Sequence, residues 1–304
     1  MTLKGLFQHR STWFRLFFLF LLVLFYGSLM QLIAWGLSSS VYDIAIGDLI
    51  GEHGVNAWTK GGRNILRLFQ FLSVTGMFIL APLTFSYLSY PKLEKTLGFA
   101  ERTDFLALGV VLVVMLIAGY PVDGLVRLNE NLLFQFLGEE GRAWVAAQQE
   151  AMVHQTALIL ESEHWTEEVL AFLIIACLPA LAEELLFRGV LQEELQRGLG
   201  VVAGLLLTSL LFAITHWQPT NLMGLFFFGL ILGLFRNWSG NLWYPIAAHF
   251  VNNATVFFML KNSGLPLSET LTQREIAPSG AYALAFFGVL AGMGLFWWLM
   301  AKRA

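Results

Sequence analysis

The sequence predicts an all-α polytopic membrane protein with about eight transmembrane helices, and three observations predict it. Of 304 residues, 57% are hydrophobic and only 13% charged, against about 45–50% and about 25% in soluble domains. The apolar residues arrive in eight uninterrupted blocks, near 13–37, 65–90, 105–122, 169–188, 201–217, 222–236, 243–260 and 281–300, and about 20 such residues cross a bilayer core as a helix. Trp13, Trp35, Trp217, Trp238, Trp243 and Trp297 stand at block edges, where an indole lies at headgroup level with its N–H in water. A net charge of −3 with no clustered basic face excludes a nucleic-acid partner. The single cysteine, Cys177, excludes an internal disulfide and a four-cysteine metal site.

The elements follow in order. Lys4, Arg10 and Arg15 precede or open the first block as they would a signal peptide. Its apolar run is longer than a signal sequence needs, and no small-residue cleavage site stands near Trp35 to Ser40, so it reads as a retained span. With the next two blocks it forms an N-terminal group of three spans, residues 1–122. Residues 123–168 are the one long polar stretch, in which Leu132, Leu133, Phe136, Trp144, Val145, Met152, Leu158 and Leu160 interleave with acids and glutamines. They read as one or two amphipathic helices over the outer face, either a solvated connector or a substrate gate. Four closely spaced blocks fill 169–260, and 261–304 supply a last loop and span of the same single membrane domain. Eleven of the 18 basic residues fall on one set of loops and ends, which places both termini in the cytoplasm of a multi-pass cell-membrane protein.

An ionisable side chain inside a spanning helix costs about 2.5–3.5 kcal/mol on insertion scales, so each one is a candidate functional group. Of the six histidines, His9, His53, His154 and His164 lie outside the apolar blocks, while His216 and His249 lie within or at the end of them. The fourth block adds Glu183, Glu184 and Arg188. Glu184 and Arg188 are four apart with the acid first, the better order for a helical ion pair. Glu183, about 100° round the helix, is left beside a second negative charge, a setting in which a carboxylate can accept and return a proton. If the chain turns at Gly198-Leu199-Gly200, the two antiparallel helices fold so that His216 lands level with Glu183. Helix axes pack about 8–10 Å apart, near enough for carboxylate and imidazole to share a water. His249 and Asn253, again four apart, share a helix face. They could serve as interhelical hydrogen-bonding glue or as preorganised donors to a developing oxyanion.

Glu183-Glu184-x3-Arg188, then Phe212-x3-His216, then His249-x3-Asn253, on three separate predicted spans, resemble the CAAX-protease and bacteriocin-processing (CPBP, or Abi) family of intramembrane proteases, over about residues 169–260. The resemblance implies an eight-helix fold around a polar intramembrane cavity and an intramembrane endopeptidase acting on a peptide or protein in or at the membrane. It implies that Glu183 and His216 activate a water, that His249 and Asn253 hold the oxyanion, and that Glu184 and Arg188 shape and neutralise the site. Glu183, His216 and His249 have the ligand count of a zinc site with an open position, although no His-Glu-x2-His run is present. A metal-free, glutamate-activated water would use the same residues. A non-proteolytic immunity or scaffold protein binding a partner through the same polar cluster is the other reading.

Overall fold

The computed structural model describes residues 3–42, 60–92, 97–99, 101–263 and 278–303; His53 and most of the loop before the last span lie outside them. The described residues form helices and no strand. Helix α1 is Thr12–Tyr42. Helix α2 is Lys60–Val74, carried through a π turn, Thr75–Leu80, into Ala81–Ser89. Then come α3, Phe105–Phe136; α4, Glu139–Leu160; and α5, Trp165–Leu199. The last four are α6, Val201–Thr215; α7, Leu222–Ser239; α8, Trp243–Asn262; and α9, Ser279–Ala301.

Eight of these helices correspond to the eight apolar blocks, and six of the eight are long and apolar enough to cross a membrane. The exceptions are informative. Helix α6 has only 15 residues, a rise of about 22 Å against a hydrocarbon core of about 30 Å. Helix α8 is long enough but carries His249, Asn252 and Asn253 in its middle. Lipid-facing character is plain on α1, where Phe17, Phe20, Leu24 and Phe25 are exposed.

Helix α3 starts where Asp104 accepts hydrogen bonds from the backbone N–H groups of Leu106 and Ala107, an N-cap. It then runs through Pro121 to Phe136, so the change from apolar to polar sequence near residue 123 falls inside one helix, not at a helix end. Beyond the proline, the helix is held by the Asp123–Arg127 pair at 2.8 Å and by Tyr282 of α9, whose hydroxyl donates to Asp123. Val126, at the same level, is buried. Only the remaining polar stretch is separate, as α4, which rests on α2 and the start of α5.

Helices α5 and α6 form the expected hairpin. Gly200 takes φ +85° between them, a conformation that favours glycine. Gly204 then lets α6 press on α5: a Cβ there would stand 2.6 Å from the Gln196 backbone nitrogen. Such small-residue contacts bring backbones together where lipid provides no hydrophobic drive. Helix α5 continues for 18 residues on the N-terminal side of Glu183, about 27 Å at 1.5 Å per residue. The short α6 stops level with Glu183, while α5 runs on beyond it.

Replacing Gly204 by leucine is expected to overpack the hairpin and destabilise the protein by about 1–3 kcal/mol. A lower thermal midpoint of the detergent-purified protein checks this, and an unchanged midpoint contradicts it.

Candidate functional site

The site is assembled on α5, α6 and α8. Along α5, a nine-residue α segment, Leu178–Leu186, is bracketed by π turns at Leu173–Cys177 and Phe187–Leu191. Each π turn inserts a residue into the helical register, a device frequent at functional sites. Between them sit both glutamates, and the second π turn contains Arg188.

Glu184 and Arg188 are fully buried and form the ion pair their spacing predicts, Nη1 to Oε1 at 2.8 Å. The guanidinium also donates to the Gly229 carbonyl of α7 at 3.1 Å, and its carbon lies 4.5 Å from the centre of the Phe212 ring, within cation–π range. His249 of α8 reaches the same carboxylate oxygen, Nδ1 to Oε1 at 2.8 Å. One buried oxygen thus receives two donors from two helices. His249 is itself buried, edge-on to Phe228 and Phe212.

Glu183 faces a different surrounding. Its Oε2 lies 3.7 Å from His216 Nε2, too far for a direct hydrogen bond, and this buried oxygen has no hydrogen-bond partner. A polar separation beyond about 3.5 Å is one that a water can bridge. His216 Nδ1 lies 2.6 Å from the Phe212 carbonyl. A carbonyl only accepts, so Nδ1 carries the proton, and in the neutral ring Nε2 is left as an acceptor facing Glu183. The residue after His216, Trp217, has φ +53°. That is a strained value for a bulky side chain, of order 1–3 kcal/mol, and it turns the chain sharply away so that α6 ends at the imidazole.

A cavity of about 470 Å³ joins these groups, lined by Glu183, His216, His249 and Asn253 among others. Asn253 donates weakly to the Ile175 carbonyl at 3.5 Å, in the first π turn. All six residues singled out in the sequence therefore meet at one place: four line the cavity, and Glu184 and Arg188 lie buried behind it. Glu183, His216 and His249 do not close into a ligand set: among the described residues no three His, Cys, Asp or Glu side chains gather closely enough to hold a metal ion. The Nδ1 of His249 is directed at Glu184, while Glu183 and His216 face each other.

Five further contributors were not legible in the sequence. Asn252 lines the cavity and donates to Asn253 Oδ1 at 3.2 Å; its place next to Asn253 was the only signal. Gln70 of α2 and Met152, Gln155 and Thr156 of α4 close the remaining sides, contacts between distant elements that no local spacing encodes. Helix α4 is anchored at its C-terminal end: Arg67 donates to the carbonyls of Ile159 and Glu161, and Lys261 to Ser162 at 2.8 Å.

Fold and site together define a membrane-integral helical protein with a polar site enclosed among its helices. Residues 165–255 match the family model described as Type II CAAX prenyl endopeptidase Rce1-like, and all six site residues fall within that segment. The chain is 38% identical over 86 residues to "Uncharacterized protein YpbD" of Bacillus subtilis (strain 168), a stretch covering 27% of this chain and 41% of that protein. The match thus spans less than half the length of this relative. No solved structure matches the chain. The resemblance read from the three motifs thus recurs in the family-model match, over this segment of the chain.

Removing one member of a buried ion pair costs about 3–5 kcal/mol. Arg188→Met is therefore expected to lower the thermal midpoint strongly, and a Glu184→Gln, Arg188→Met double variant to regain much of the loss. A double variant no more stable than Arg188→Met alone would show that the pair is not what holds α5.

Proposed function

We propose that the protein is a membrane-embedded endopeptidase that hydrolyses a peptide bond of a membrane-associated protein or peptide, with Glu183 as the base. The observation that carries the reading is the pair of acceptors, Glu183 Oε2 and His216 Nε2, 3.7 Å apart at the wall of a cavity. Two acceptors hold a water by its two protons and leave its oxygen lone pairs for attack.

As that oxygen bonds to the substrate carbonyl carbon, its proton passes to Glu183 and the carbonyl oxygen becomes an oxyanion. Asn253, through its amide N–H, and His249, through Nε2–H when the ring carries both protons, donate to that oxyanion. Glu184 accepts from Nδ1 of the same ring and stabilises its positive charge. Glu183 then gives the proton to the amide nitrogen, the C–N bond breaks, and a carboxylic acid, which keeps the second proton of the water, and an amine leave. Base catalysis of this kind contributes about 10²–10⁴-fold, and a single oxyanion donor about 10²–10³-fold. Eight crossings would put both termini on one side of the membrane, which the bias of basic residues makes the cytoplasmic side.

Glu183→Ala and His216→Ala are each expected to lower cleavage at least 100-fold, and Asn253→Ala to lower kcat more than it raises KM. Comparing membrane and secreted proteomes of cells carrying wild type or Glu183→Ala should reveal uncut precursors, and cleavage of such a precursor by purified protein should survive chelation. Full cleavage by the Glu183→Ala protein would overturn the assignment. Loss of cleavage on chelation, restored by zinc, would overturn the metal-free water.

A further inference from the structure

A second cavity, larger than the one that holds Glu183, adjoins it. It measures about 850 Å³, within the range of about 300–1,000 Å³ of ligand sites, and lies between α3, α4 and the link from His216 to Asn221. Val126 and Glu130 stand on one wall, Gln148 and Gln149 on another, and Trp217 and Thr220 on the third. Met152, Gln155, His216 and Asn221 line this space and the smaller cavity alike. The two cavities adjoin, and His216 stands between them.

The chemistry of the walls selects an occupant. Gln148, Gln149, Gln155, Gln218 and Asn221 each bring a carbonyl acceptor and an amide donor. A peptide backbone presents one donor and one acceptor per residue, so it can pair with this lining. Gln149 already donates to Thr220 and Asn221 to Gln218, but a hydrocarbon tail would offer no partner to the amide groups still open, at about 1–3 kcal/mol for each one it buries. The α3 and α4 walls also lie outside residues 165–255, the segment matched by the family model, and so belong to the part of the chain that sets it apart from that shared core.

We propose that this antechamber binds the extended peptide chain of the substrate next to the scissile bond, and that α4 determines which sequences fit. The proposal rests on the endopeptidase reading for its location, but its test needs no cleavage. In Glu183→Ala, Cys177→Ser protein in detergent, a cysteine is placed at Gln148, on the wall, or at Trp144, on the same helix and exposed but outside the lining. Alkylation by a polar maleimide is timed alone, with unfolded casein as an extended polypeptide probe, and with oleate as a hydrocarbon probe. Casein is expected to slow labelling at position 148 at least threefold and to leave position 144 unchanged; oleate is expected to slow neither. Should Gln148→Cys fail to purify, Ala151→Cys reports on the same wall. Equal rates with and without casein, or slowing by oleate alone, would overturn the proposal. Failure of the endopeptidase reading would show separately, as the absence of uncut precursors in Glu183→Ala cells.

Discussion

A single oxygen, Oε1 of Glu184, holds the site together. It accepts from Arg188 of its own helix and from His249 of α8, both at 2.8 Å, where the carboxylate and the guanidinium are fully buried. Charges in a low-dielectric interior persist only when paired and hydrogen-bonded, so α5 and α8 have little freedom to shift against each other. The Arg188 guanidinium extends the constraint to α7 through the Gly229 carbonyl and to α6 through the Phe212 ring. Four helices are thus referred to one ion pair.

That constraint divides the labour between two adjacent glutamates. Glu184 has both neighbours supplied by the protein and serves as a fixed anchor. Each carboxylate has one oxygen without a hydrogen-bond partner, but Glu183, one residue earlier, lines the cavity with a histidine just out of direct reach. Adjacent carboxylates in such unlike surroundings take unlike roles, the arrangement by which enzymes separate acid–base groups. The pairing of Glu184 fixes the ring orientation of His249 as well, because Nδ1 is committed to the carboxylate. The strained turn at Trp217 ends α6 at the point where His216 meets the cavity.

Much of this was legible in the chain. The eight apolar blocks mark the eight apolar helices, because a bilayer allows few alternatives for long apolar runs. Counting back from Gly198 to Gly200 puts His216 opposite Glu183, since hairpin neighbours are related by reflection about their turn. The i, i+4 spacing of Glu184 and Arg188 gives their ion pair. What could not be read depends on elements far apart in sequence. The bond from His249 to Glu184 spans 65 positions and requires the packing of α8 on α5. The covering of the cavity by Gln155 and Thr156 requires the docking of α4. The passage of α3 through Pro121 was hidden because a proline and a drop in hydropathy coincide, while the contacts of Asp123 that sustain the helix come from Arg127 and from Tyr282 on α9. The π turns flanking the glutamates leave no trace in hydrophobic periodicity.

The central claim is that Glu183 and His216 jointly hold the water that attacks the peptide bond. It is tested most directly by a crystallographic map at a resolution that shows ordered solvent. The account predicts a water within hydrogen-bond distance of both Glu183 Oε2 and His216 Nε2, with Nδ1 of His249 still bonded to Glu184. A metal ion ligated by Glu183, His216 and His249 would contradict it, as would a Glu183 carboxylate bonded directly to a protein donor with no water at His216.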